Sequence, residues 1–433
     1  MDLVEREGEM SEVIGAAPSA PGSLSAALAM VPDPRRPRGW DPDRPPVPLA
    51  VVLTMCVAAI VSGARSLYAI AQWGREMREH EPALLLDLGL EPGRSPCVAT
   101  LHRLFKALDV DAFERAVGEW LGRSGGAAAA LEGIALDGKT LRGIHGKAIS
   151  GVHLVSAYAH HASVVIAQLR TEGKGQEIAA TTALLDDLPL AGRVVTADAL
   201  LTQRGICEQV VAGGGDYFFP VKDNQPALEA DIARAFPPLL ALTPSPTEVP
   251  TLPIWQQRQW AERGATLTVV VDAPAKAQHG RVERRILWAL ADPAQHAHIG
   301  NTGTVGQPWP HVQQLCRLER RRIRQRTGET STEVSYGVTS LPAHRATAED
   351  LLALARGHWG IENKSHYVRD VTFDEDRCQV RSGGAPQTFA ACRNLAIALL
   401  RRRHCPNIAA ALRTCARHPR LAVRLVLTGH RQR

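Results

Sequence analysis

Two short apolar runs, each stopping at an aspartate, constrain the fold more than any other feature of the chain. Ile134-Ala-Leu-Asp137 halts at Gly138, and Val194-Val-Thr-Ala-Asp198 follows later. Short apolar runs bounded by turn residues read as buried strands. Val152 to Ala159 and Val164 to Arg170 are two more β-rich runs. Glu177 to Asp187 and Thr202 to Val211 have helical patterning, and the strand Asp216 to Lys222 follows Gly213-Gly214-Gly215. Strands in a meander, then α-β-α-β, is the order of a mixed α/β sheet. A carboxylate ending a central strand marks the ligand edge of such a sheet. Neighbouring strands would lie about 4.8 Å apart, and both carboxylates would then face one crevice. Taken singly, each Asp also reads as a helix cap or turn residue.

A third carboxylate comes from a helix. Thr347 and Glu349-Asp350 suit a helix start, and Leu351, Leu352, Leu354 and Ala355 lead into Trp359. At about 100° per residue, His358, Glu362, His366 and Arg369 fall on one face. Such a face is either a surface ion-pair lattice or one arm of a site. With Asp137 and Asp198, Glu362 would complete an oxygen cage of the kind that Mg2+ or Mn2+ prefers. Three carboxylates repel one another unless cations neutralise them. Two ions about 4 Å apart can activate a water or 3′-hydroxyl and stabilise the departing oxygen of a phosphodiester.

Two look-alikes must be set aside. Gly133 to Thr140 satisfies the letter of a P-loop, with Gly138-Lys139-Thr140 at its end, which would make the chain a nucleotide hydrolase. A phosphate cradle needs a flexible loop between its glycines, whereas Ile134-Ala-Leu is strand-like. His358, Glu362 and His366 could be read as a zinc helix, but the spacing is not that of a metalloprotease and leaves both Asp unexplained.

The rest of the chain frames these residues. Residues 1–27 are acidic, then rich in Ala, Ser, Pro and Gly, which predicts a disordered tail. Residues 28–122 read as a helical N-terminal domain, where Thr100, His102, Arg103 and Lys106 could belong to a DNA-recognition helix or to an ordinary amphipathic one. Val47 to Ala64 is apolar enough to suggest a membrane span, but its Ala, Val and Thr content and flanking prolines favour a buried core helix and no membrane partner. Residues 123–131 read as a linker, 132–376 as the catalytic α/β domain with a β insertion at about 228–340, and 377–433 as a basic helical C-terminal segment. That last segment holds 12 Arg and no Lys, Asp or Glu; 38 of the 50 basic residues then face all 44 acidic ones in the remainder. The asymmetry points to a polyanionic partner. Eight Cys without C-x-x-C spacing, and no secretory signal, suggest reduced thiols in a cytoplasmic protein.

These residues resemble the DDE transposases of bacterial insertion sequences, in the H-repeat-associated branch. The likeness runs from about residue 28 to 403. It is carried by Ala135-Leu-Asp-Gly-Lys-Thr-Leu-Arg-Gly143, Val152-His-Leu-Val-Ser-Ala157, Val195-Thr-Ala-Asp198, Gly215 to Pro226, His358-Trp-Gly-Ile-Glu-Asn363, Val371 to Asp376 and the Pro32 to Gly39 arm. The resemblance implies a ribonuclease-H-like core with a β-rich insertion between the second and third acids. It makes Asp137, Asp198 and Glu362 the catalytic and metal-binding triad, with two Mg2+ or Mn2+ ions. Related enzymes carry Tyr, Arg, Glu and Lys on the Glu helix; here those positions are Ala355, His358, Glu362 and Arg369. Lys222, His358, Asn363, Arg369, Arg401, Arg402 and Arg403 become the expected DNA contacts. The implied partners are the element's terminal repeats and target DNA, held by a homodimer. An inactive or repurposed DNA-binding copy is the alternative.

Overall fold

The computed structural model describes residues 22–35, 46–123, 131–142, 152–171, 173, 175–236, 254–272, 280–300 and 307–429. Residues 1–21, most of the expected linker and the arm beyond Arg35 lie outside these. Nine strands form one mixed sheet in the order β3-β2-β1-β4-β5-β9-β8-β7-β6. They are β1 (Glu132–Leu141), β2 (Val152–Ala159), β3 (Val164–Thr171), β4 (Arg193–Thr196), β5 (Asp216–Val221), β6 (Thr266–Asp272), β7 (Arg281–Ala291), β8 (Gln314–Arg324) and β9 (Thr330–Thr339). With helices interspersed, this is the mixed α/β architecture that the ribonuclease-H-like expectation requires. Gly133 to Thr140 lies within β1, so the P-loop look-alike is a strand with no loop to wrap a phosphate.

The chain forms two compact units. One comprises Met1–Ala128, Gly138–Ala180 and Gly360–Arg433, the other Ala129–Asp137 and Thr181–Trp359.

In the unit that holds Asp198, β1 and β4 pair in parallel, as do β4 and β5, while β5 and β9 are antiparallel. The expected insertion strands extend this sheet through β9, β8, β7 and β6. The basic run from Arg317 is the outer half of β8, where Glu283 and Glu319 each accept from Arg side chains. One sheet face is covered by a helix, Ala348–His358, whose start carries a full capping box between Thr347 and Asp350. Its first amide also donates to Thr268 of β6 at 3.0 Å. Leu351, Leu352 and Leu354 pack with Val194, Phe218, Leu287 and Cys316 from four strands. Those contacts fix where the helix ends, and with it His358.

The other unit is mostly helical, and its centre is the apolar helix of the N-terminal region. All thirteen residues of Leu49–Val61 are buried, and the Thr54 hydroxyl is satisfied by the Ala50 carbonyl at 2.7 Å. Among the described residues no helix is long and apolar enough to cross a membrane. Around it pack helices Leu24–Leu28, Leu67–His80, Pro82–Asp87, Val98–Ala107 and Val110–Arg123. Leu24 and Leu28 are buried, and their helix overlaps the stretch expected to be a disordered tail. The basic C-terminal segment is also core rather than appendage. In the helix Ala385–Arg402 every residue from Ala385 to Leu400 is buried, against the N-terminal helices. Helices Ile408–Arg417 and Pro419–Thr428 complete the cluster.

Candidate active site

The register of β1 and β4 aligns the two aspartates. Ala135 pairs with Thr196, and Asp137 and Asp198 each lie two residues beyond that pair. Strand side chains alternate with a period of two, so Asp137 shares a face with Ala135. Asp198 sits just past the end of β4, exposed, with Oδ1 accepting from the Leu201 amide at 3.2 Å. It therefore does serve as the turn cap that a single aspartate suggests. Desolvation by its surroundings raises its pKa, the Leu201 hydrogen bond lowers it, and the negative charge of Asp137 raises it again. Mutual repulsion of this kind is what a bound cation relieves, so the donor set fits a hard divalent ion.

Lys222, exposed just after β5, is the positive charge that opposes this rise at Asp198. The β5 turn is tied to the turn after β4: Asn224 Nδ2 donates to the Ala199 carbonyl at 2.6 Å and Gln225 Nε2 to the Thr202 carbonyl at 3.1 Å. Lys222 is thus held at the sheet edge that carries Asp198. His358 is half-buried, with Nδ1 3.3 Å from Thr196 Oγ1. Burial lowers its pKa, with the Asp137 charge opposing.

Beyond Trp359 the helix widens into π-helical turns, Ile361–His366 and Val368–Thr372. Gly360 admits a close neighbour: a Cβ there would meet Tyr158 Cε1 at 2.9 Å. Glu362 and Asn363 are exposed, whereas His366 is buried. Among the described residues, Glu362 and His366 bring an acidic and an imidazole side chain, four residues apart in this run, each able to offer a ligand to a metal ion. His366 was legible only as a neighbour of Glu362 four residues on.

The expected DNA contacts divide sharply. Lys222 and Asn363 are exposed and Arg369 is fully buried. A π turn holds more residues than the 3.6 of an α turn, so seven residues beyond Glu362 the chain has rotated Arg369 off that face and into the interior. There it donates to Glu375 at 2.9 Å and to Gln168 Oε1 at 3.2 Å. The three consecutive arginines also donate inside the fold. Arg401 reaches the Cys405 and Pro406 carbonyls, and Arg403 reaches Thr428. Arg402 donates to the Leu121 carbonyl at 2.7 Å and stacks over Trp120. A charge run reads the same in sequence whether it binds phosphate or closes helix ends.

Comparison with known proteins identifies the family. The family model described as a transposase DDE domain matches residues 129–399, and one described as associated with it matches 25–121. The Escherichia coli protein YbfL is 28% identical over 381 residues, covering 87% of this chain and 90% of its own. The Escherichia coli protein YhhI, named as an H repeat-associated transposase, is 28% identical over 356 residues, 81% of this chain and 84% of its own. An uncharacterized protein of the dhlA 3′ region in Xanthobacter autotrophicus is 30% identical over 332 residues, 76% of this chain and 98% of its own. A piggyBac transposase synaptic complex with hairpin DNA aligns at 9% identity with a TM-score of 0.40, over 93% of this chain and 76% of that one. With a match spanning more than half its length, the chain belongs to the DDE transposase family.

Proposed function

We propose that Asp137, Asp198 and Glu362 are the acidic triad with which this DNA transposase cuts the ends of an insertion sequence and joins the freed 3′-hydroxyl to target DNA. Family membership makes the chain a metal-dependent enzyme of DNA cleavage and strand transfer. The observation that carries the residue assignment is the alignment of Asp137 and Asp198 beyond the paired ends of β1 and β4. Bound Mg2+ or Mn2+, two ions in this reading, would supply an activated oxygen nucleophile and charge neutralisation at the phosphodiester. Asp137 and Asp198 would hold it from the sheet, and Glu362 from the helical run beyond Trp359. His358, bonded to Thr196 beside the end of β4, would orient the groups around it. Lys222 and Asn363 are the proposed phosphate contacts; Arg369 is withdrawn from that set by its burial. The DNA is bound in the cytoplasm by a homodimer holding two element ends.

The test is nicking of supercoiled DNA carrying the element ends. Nicking should require Mg2+ or Mn2+ and vanish in Asp137→Ala, Asp198→Ala and Glu362→Ala while circular dichroism and DNA binding persist. Full nicking by folded Asp198→Ala would refute the assignment. Metal-independent DNA binding without nicking by the native chain would favour a repurposed copy.

A further inference from the structure

The lysine of the P-loop look-alike has a different use. Lys139 Nζ lies 2.5 Å from Asp370 Oδ1, with side-chain exposures of 7% and 31%. Lys139 is two residues beyond Asp137 on β1, so the two-residue period directs it to the same side of the strand. Asp370 is eight residues beyond Glu362, in the second π-helical turn. We propose that Lys139 is a positioning residue for this reaction, its ion pair with Asp370 tying the strand that presents Asp137 to the helical run that presents Glu362. The inference rests on the proposed function, since the spacing matters only if both acids serve one ion.

A tie is useful only if neither end can drift. On the strand, a Cβ at Gly138 would meet His153 Nε2 at 2.8 Å and Glu177 Cδ at 3.4 Å. His153 in turn sits 2.7 Å from Thr140 Oγ1 through Nδ1 and 2.7 Å from Glu177 Oε1 through Nε2. The segment from Gly138 to Thr140 is therefore wedged on the side of β2. On the helix, Arg369 beside Asp370 is clamped by Glu375, and Arg393 holds the other oxygen of Glu375. The Lys139 charge also acts on Glu375, with Arg369 and Arg393, to hold that carboxyl below its ordinary range against the effect of burial. Lys139, Asp370, Arg369, Glu375 and Arg393 thus form one charge cluster around the tie. A lysine this enclosed is costly unless paired, which accounts for the ion pair but not for its place between the two acid-bearing segments.

The sign of one measurement separates positioning from plain electrostatics. Near a cation site, loss of a lysine charge by itself would tighten metal binding; loss of a positioning residue would weaken it. Mn2+ titration of the full-length chain, followed by electron paramagnetic resonance, should give a Kd raised roughly tenfold or more in Lys139→Met, where loss of charge alone would lower it, and in Asp370→Asn, where loss of charge acts in the same direction. Lys139→Arg should recover part of the loss, and the Mg2+ requirement for nicking should shift in parallel. Equal or tighter Mn2+ binding by the folded variants overturns the inference while leaving the triad intact. A native chain that binds no Mn2+ overturns the triad and the tie together. Unfolding of both neutral variants would make the pair a determinant of the fold, and likewise overturn the positioning role.

Discussion

Arg369 places its Nη2 2.8 Å from Glu375 Oε2, and the two side chains are 0% and 2% exposed. Arg393 Nη1 lies 2.8 Å from the other oxygen, so one buried carboxylate is shared by two buried guanidinium groups. Removing it would leave both cations facing each other away from water. Glu375→Ala should therefore destabilise the chain by about 3–5 kcal/mol, the range for breaking a buried pair from one side. Glu375→Gln keeps hydrogen-bond acceptance at one oxygen and should cost less. Urea denaturation read by tryptophan fluorescence gives both values, and a Glu375→Ala chain as stable as the native one would refute the clamp.

A second enclosed carboxyl extends the same network. Gln168 takes hydrogen bonds from Arg369 and Asn394 and donates from Nε2 to Glu114 Oε1 at 2.8 Å. Glu114 Oε2 is shut off from solvent. Desolvation is the main cause that pushes the Glu114 pKa up to about 8, with the Gln168 bond opposing. A carboxyl whose folded pKa exceeds its unfolded value stabilises the fold while protonated. The contribution is complete below the unfolded pKa near 4.5 and lost as pH rises through about 8. Stability should thus fall between pH 5 and 8 by at most about 1.4 kcal/mol per pH unit from this group. Glu114→Gln should flatten that part of the profile. Urea midpoints at several pH values decide it: an unchanged slope in the variant would mean another group is responsible.

What the sequence made legible follows from period and burial. Asp137 and Asp198 stood out as candidates because each closes a short apolar run, and Leu49–Val61 could be read as core because an uncharged helix must be buried somewhere. The face of the Glu362 helix was misread at Arg369, since nothing in the residues announces the change from α to π turns. The role of Lys139 was hidden for a related reason. Its partner Asp370 is remote in sequence, and contact between distant residues leaves no spacing to read. In the arginine-rich segment, composition records charge but not exposure, so the inward hydrogen bonds of Arg401, Arg402 and Arg403 were not legible.

That last point yields a prediction that separates two kinds of arginine in one segment. Arg402 donates to the Leu121 and Gly429 carbonyls and lies 4.3 Å from the Trp120 ring centroid. Arg413 and Arg417 are exposed on the helix Ile408–Arg417. Deleting the whole segment cannot test DNA binding, because it removes the buried helix Ala385–Arg402 and with it the helical core. Point variants can. Arg402→Ala should lower the urea midpoint and leave the salt dependence of DNA binding in the folded fraction unchanged. Arg413→Ala and Arg417→Ala should leave stability within about 0.5 kcal/mol. If their guanidinium groups neutralise phosphates, each should reduce the slope of log K against log salt by about 0.9. Fluorescence anisotropy with duplex DNA over a range of salt concentrations reads that slope directly. A slope unchanged in the Arg413→Ala, Arg417→Ala double variant would move the polyanion contact away from this helix, onto other exposed cations such as Lys222.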